Sequence, residues 1–182
     1  MDDDLAVHPL LATRWSPVSF DEEHEVTVDE VEVLLEAARW APSAGNSQPW
    51  AFVTARRGEE AHARMLPHLL GSSRRWAPTA ALLVVNLSHR RVEATDWDYS
   101  EFAHYDLGQA VAHMTFQAQA IGLSARQFRA FDQGALALEF TVPPHWEVTT
   151  MTAFGHPARE RDVDVPRRRR SRASLRWSEG GG

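Results

Sequence analysis

Residues 41–50 read Ala-Pro-Ser-Ala-Gly-Asn-Ser-Gln-Pro-Trp, a stretch with little to bury and much to offer a polar, planar ligand. Ser43 adds a hydroxyl, while Asn46 and Gln48 present amide donors and acceptors together. Gly45 lets the backbone approach closely. The plain alternative is a Pro/Gly/Asn loop that ends one helix before the next strand.

Three further groups of residues could do chemistry. Arg14-Trp15-Ser16, ahead of Phe20 and Asp21, is either an exposed turn after a helix or a phosphate clasp. Arginine suits phosphate because its planar fork makes two charge-assisted bonds at once, each contributing roughly 1.5–3 kcal/mol. Residues 123–132 read as a strand and turn leading to a helix capped by Asp132. The sharper reading gives Arg129 and Ala130 a backbone donor aimed at a cofactor. The Arg167-Arg168-Arg169-Arg170 run is a solvated tail, or two alternate guanidinium groups that close over a phosphate.

Other chemistries lack their residues. The chain has no Cys, so disulfides, zinc thiolates and thiol nucleophiles are excluded. It has no lysine, hence no P-loop, and neither a Gly-x-Gly-x-x-Gly nor a Gly-x-Ser-x-Gly motif. No His-x-x-x-His pair with a catalytic Glu is present, and no metal is expected. His24, inside Glu22-Glu23-His24-Glu25, is expected on a solvated face. Trp40, Trp50 and Trp76 are expected as core or interface anchors.

The 182 residues, 43% hydrophobic, suit one domain over residues 1–182 with a real core. All nineteen basic residues are Arg, and eight lie between Arg159 and Arg176, yet the net charge is −6. That balance argues against nucleic acid as a general partner. No apolar run is long enough to span a membrane, and the acidic start, Met1-Asp2-Asp3-Asp4, is unlike an export signal. A cytoplasmic location and no membrane partner are the expectations.

Periodicity sketches the elements that hold these groups. Residues 5–12 read as a short helix. Thr27 and Glu30 form a capping box, after which Val31, Leu34, Leu35 and Ala38 give a core-facing stripe that Pro42 stops. A strand is expected over residues 51–55, a helix over about 59–70, and a buried strand over 80–85. Residues 89–100 are irregular. A long helix over 101–121 is apolar on most faces and ends in a Gly122 cap backed by Leu123. A last strand covers 149–154, and beyond Gly155 composition alone indicates a disordered tail. The elements fit a layered α+β fold.

In this order the segments resemble those of the FMN-dependent nitroreductase family. Residues 41–50 resemble its flavin-contacting loop almost residue for residue, and Arg14-Trp15-Ser16 with Phe20 its phosphate motif. Asp106-Leu107-Gly108-Gln109-Ala110 through Gly122-Leu123 resembles its central helix and following turn. Arg129-Ala130-Phe131-Asp132 resembles the segment whose backbone amide faces flavin N5. Arg167 and Arg169 stand where its basic pair completes the phosphate site. The resemblance implies a central, mostly antiparallel sheet flanked by helices, and an intertwined homodimer whose residues 156–182 form an arm reaching the partner. It also implies FMN between the subunits, bound by Arg14, Trp15, Ser16, Ser43, Asn46, Gln48, Arg129, Ala130, Arg167 and Arg169. Hydride would pass by a ping-pong route from NADH or NADPH to a nitroaromatic, quinone or similar small acceptor, with no obligatory catalytic side chain.

Two positions depart from the family pattern. Val18 stands where a Lys or Arg commonly contacts the flavin N1/O2 edge, leaving Arg74 or Arg75 to supply that charge. Ala130 stands where Gly is frequent. Both departures motivate the alternatives of a flavin-sequestering protein or a biosynthetic flavin oxidase without NAD(P)H-dependent turnover.

Overall fold

In the computed structural model, which describes residues 7–159 and 167–177, the Thr27 capping box forms as its sequence requires. Thr27 Oγ1 accepts from the Glu30 N–H at 3.2 Å, and the Glu30 carboxylate accepts from the Thr27 N–H at 2.8 Å. Helix α2 (Val28–Arg39) follows, preceded by the short α1 (Pro9–Thr13). Val31, Leu34 and Ala38 are buried, with Leu35 packed against the same cluster.

Four strands make one antiparallel sheet in the order β1-β2-β4-β3: β1 (Trp50–Arg56), β2 (Leu82–His89), β3 (Ser124–Phe128) and β4 (Trp146–Gly155). The apolar run that opens β2 is explained by burial on both faces. Leu83, Val85 and Leu87 join one core cluster with Met65, Leu69 and Trp76; Leu82 and Val84 join another with Leu34, Ala110 and Met114. Helices α2 and α5 (Ala103–Ala120) therefore cover one face. The other is covered by α3 (Glu60–Met65), α4 (Ser73–Trp76) and α6 (Gln133–Glu139). This is the layered α+β arrangement expected.

Several boundaries differ from expectation for local reasons. The helix expected to reach residue 70 ends at Met65, because Pro67 has no N–H to continue the ladder, and a tighter turn at Leu66–His68 replaces it. Strand β2 starts two residues late, since Ala80 closes a turn on the Ala77 carbonyl at 3.1 Å. It then runs on through the polar Asn86 and Ser88, which pair with both neighbouring strands. Asn86 stays buried by donating to Thr150 and Thr152 hydroxyls, both at 2.9 Å.

Helix α5 ends as predicted. Gly122 has φ +87°, and the Leu123 N–H donates to the Ala118 carbonyl at 2.8 Å. Asp132 caps α6, accepting from the Ala135 N–H at 2.9 Å. Parts of the expected first helix (residues 5–6) and C-terminal arm (residues 160–166 and 178–182) lie outside the described residues. No described helix is long and apolar enough to cross a membrane.

Candidate functional site

The loop before β1 has an unusual backbone. Gly45, Asn46 and Gln48 adopt φ of +58°, +56° and +46°. Gly and Asn enter that region readily, whereas Gln48 is held there against its preference. Two sets of bonds impose the shape. Within the loop, Ser43 Oγ accepts from the Gln48 N–H at 3.0 Å, and Gln48 Nε2 donates to Asn46 Oδ1 at 3.2 Å. From outside, Asp106 Oδ2 accepts from the Ala44 N–H at 3.0 Å, and Tyr99 Oη donates to the Ser47 carbonyl at 3.0 Å. Asp106 is 2% exposed, and its other oxygen accepts from Gln109 at 3.2 Å. A buried carboxylate is tolerated only when its oxygens are bonded in this way. The structure thus gathers Ser43, Asn46 and Gln48.

Arg14, Trp15 and Ser16 sit elsewhere. Arg14 donates to Ser16 Oγ at 3.3 Å. Arg14 and Trp15 line a recess of about 230 Å³ together with Thr115, Gln119 and Ser124. The Arg167 guanidinium donates to the Ala12 and Arg14 carbonyls, so the C-terminal stretch returns to this motif. Arg169 is exposed and donates to the Arg168 carbonyl at 2.9 Å. Arg126, a residue the sequence did not single out, steadies the same segment. It donates to the Pro17 carbonyl at 2.9 Å and lies 4.1 Å from the Trp76 ring centroid. Burial lowers its pKa from the ordinary arginine value.

Arg129 and Ala130 follow β3. The Ala130 carbonyl accepts from the Leu70 N–H at 2.9 Å and contacts Ser73 Oγ. The Phe131 N–H closes on the Arg129 carbonyl at 3.0 Å, and Arg129 also donates to Gln133 Oε1. These bonds fix the peptide that carries the Ala130 N–H. Among the described residues that N–H has no acceptor. Ala130 is half-buried and lies outside the positive-φ set, so its Cβ imposes no backbone strain. Arg74 belongs to the same clamp, since its Nε donates to the Leu69 carbonyl at 2.6 Å while Leu69 bridges Phe131. Val18 is exposed.

These groups do not meet in one place. β1 and β3 are opposite edges of the sheet, three strand intervals or about 14 Å apart. The Ser43–Gln48 loop leads into one edge and the Arg129-Ala130 turn leaves the other. Along α5, Asp106 at the loop and Gln119 at the Arg14 recess are thirteen residues apart, about 20 Å.

Asp106, Ser73 and Arg126 act through partners 57 to 109 residues away, so local pattern gave no sign of their roles. His24 is corrected: instead of a solvated face it is half-buried and stacks on His156. Trp76 is a core anchor and Trp50 is partly buried in the other cluster, while Trp40 is 73% exposed.

The fold is a layered α+β arrangement, with the Ser43–Gln48 loop at one sheet edge and the Arg129-Ala130 turn at the other. Known proteins are similar in sequence and share this fold. The sequence profile described as the Nitroreductase family matches residues 11–97. A Streptomyces coelicolor protein provisionally named NADH dehydrogenase/NAD(P)H nitroreductase is 29% identical over 165 residues, 80% of each chain. An Archaeoglobus fulgidus protein of the same provisional name is 25% identical, covering 77% of this chain and 79% of its own. The crystal structure of an oxidoreductase described as containing FMN superposes with a TM-score of 0.85 at 26% identity, over 98% of this chain and 94% of that one. A Streptococcus pneumoniae nitroreductase family protein shares the fold, with a TM-score of 0.79 at 16% identity over 93% and 98% of the two chains. This chain is thus similar to nitroreductase family proteins in sequence and in fold.

Proposed function

We propose that the protein is an FMN-dependent oxidoreductase that transfers hydride from NAD(P)H to a nitroaromatic, quinone or similar small acceptor. The observation that carries the reading is the Ala130 N–H, fixed by its turn at a half-buried position and without an acceptor among the described residues. Such a preorganised donor suits an electronegative ring atom of a reduced cofactor. The chemistry that a bound FMN supplies is two-electron transfer, hydride in from NAD(P)H and hydride out to the acceptor in separate half-reactions.

The residues present fit that cofactor. Arg14 lines the recess, with Ser16 bonded to its guanidinium and Arg167 to its carbonyl, so cationic and hydroxyl donors for a phosphate lie together, and Arg169 lies two residues beyond. Arg74, tied into the Ala130 clamp, is the cation for the N1/O2 edge that Val18 leaves without one; Arg75 has no such tie. Ser43, Asn46 and Gln48 offer polar groups to the ring system, and Gly45, at φ +58°, adds no side chain between them. None of these groups needs to gain or lose a proton for binding.

The division between sheet edges supports a homodimer. A second copy related by a two-fold axis would lay its Ser43–Gln48 loop against the Arg14 and Ala130 side of the first, completing two equivalent sites. The arm after β4 is then a segment that docks on the partner.

The test is absorbance of the purified protein supplemented with FMN, followed by anaerobic titration with NADH and, separately, NADPH. A yellow protein whose flavin bleaches stoichiometrically with a nicotinamide supports the proposal. Protein that takes up no FMN, or binds FMN that neither nicotinamide reduces, contradicts it.

A further inference from the structure

At the end of β4 the chain pairs with the segment that follows the Arg14–Ser16 turn. The Asp21 N–H donates to the His156 carbonyl at 2.9 Å, the Ala158 N–H donates to the Ser19 carbonyl at 3.1 Å, and Phe20 bridges Pro157. Beside this short ladder the imidazole rings of His24 and His156 lie face to face, centroids 3.6 Å apart and planes 22° from parallel. His24 Nδ1 is buried and has no hydrogen-bond partner among the described residues. Arg57, just after β1, fixes the His24 backbone by donating to its carbonyl at 2.6 Å and to the Thr79 carbonyl at 2.8 Å.

We propose that the His24–His156 stack is an acid-sensitive clasp, closed when the rings are neutral and opened when both are protonated. Two neutral imidazoles stack readily, whereas two imidazolium rings at this spacing repel. The surrounding charges are mixed. Arg57 also opposes a cation on His24, while Glu30 on α2 and Asp21 in the same segment favour one. The Glu30 carboxylate is already engaged by Thr27, so it is not free to swing onto the pair. Burial first, and His156 next, hold His24 below the ordinary value of 6.5. A histidine lowered in the folded state stabilises the fold above its unfolded value and loses that contribution as pH falls. The clasp therefore holds at neutral pH and weakens below it.

The consequence is local. Acid loosens the short ladder that joins Ser19 and Asp21 to His156 and Ala158. The inference is read on protein without cofactor and stands apart from the flavin proposal.

The experiment follows the ring protons of His24 and the amide exchange of Asp21 and Ala158 by NMR on the full chain. Exchange is corrected for intrinsic rate and referenced to Val84 in the core. Between about pH 7.5 and about pH 5.5, protection at Asp21 and Ala158 is expected to fall at least about tenfold while Val84 stays constant. In His156→Phe, which keeps a ring and removes the charge, the fall in protection is expected to be smaller than in the wild type and the His24 midpoint to rise. His24→Phe removes the buried imidazole itself, and level protection is expected there. Constant protection in the wild type, or an equal fall in either variant that folds, overturns the proposal.

Discussion

The buried carboxylate of Asp106 holds the Ala44 N–H at 3.0 Å, tying the first turn of the central helix to the strained loop 62 residues earlier in the chain. The bond is the loop's firmest connection to the core on that side. Removing it leaves a donor without its charged partner and frees Gln109 as well.

Asp106→Ala should therefore lower stability by about 1–3 kcal/mol, the cost of breaking a buried charge-assisted bond. FMN affinity should fall with it, because Gly45, Asn46 and Gln48 lose the constraint that holds their positive φ. Asp106→Asn, which keeps an acceptor oxygen, should be milder on both counts. Urea unfolding and FMN titration measure the two effects separately.

That relationship also marks what the sequence leaves hidden. The capping box at Thr27, the β2 apolar run and the Gly122 cap are legible because each is set by neighbours within a few residues. The loop at residues 41–50 is legible as polar and Gly-containing, but not as strained, since its shape depends on Asp106 and Tyr99. Helix α4 has four residues, too few for any period to show. His24 looks solvated beside three glutamates, yet its ring partner lies 132 positions away. The separation of the Ser43–Gln48 loop from the Arg129-Ala130 turn depends on strand order, which no local pattern encodes.

The α2 cap gives a pH-dependent prediction. Thr27→Ala should cost about 1 kcal/mol at any pH where the protein folds. The Glu30 carboxyl is held below its ordinary value of 4.5, chiefly by the Thr27 backbone N–H. Its contribution is thus fully present above pH 4.5 and is lost as pH falls through the lowered value. The stability difference between wild type and Glu30→Gln should be level above the histidine range, change where His24 charges, and shrink in acid as Glu30 protonates, as followed by thermal unfolding across pH.

The phosphate assignment separates two ligands that share a ring. Arg14→Gln should weaken FMN about tenfold to a hundredfold, the equivalent of one or two charge-assisted bonds. Riboflavin, which has the ring but no phosphate, should bind both proteins alike. Fluorescence titration with each ligand checks this, and an equal loss for both would place Arg14 at the ring instead.

Arg74 and Arg75 differ in what holds them, and the flavin potential should report it. Removing a cation beside the N1/O2 edge destabilises the anionic reduced form. Arg74→Gln should therefore lower the midpoint potential by roughly 30 mV, a tenfold change for a two-electron couple. Arg75→Gln should leave it in place. Spectroelectrochemical titration of the two variants distinguishes them.

The central claim is that the cofactor site is built from two copies, one giving the Arg14 and Ala130 side and the other the Ser43–Gln48 loop. Sedimentation velocity of FMN-loaded protein, detected at the flavin's visible band, tests it most directly. The account predicts that all flavin absorbance travels with a species of twice the 20.5 kDa chain mass. Flavin travelling with a single 20.5 kDa chain, or a dimer that carries none, would contradict it.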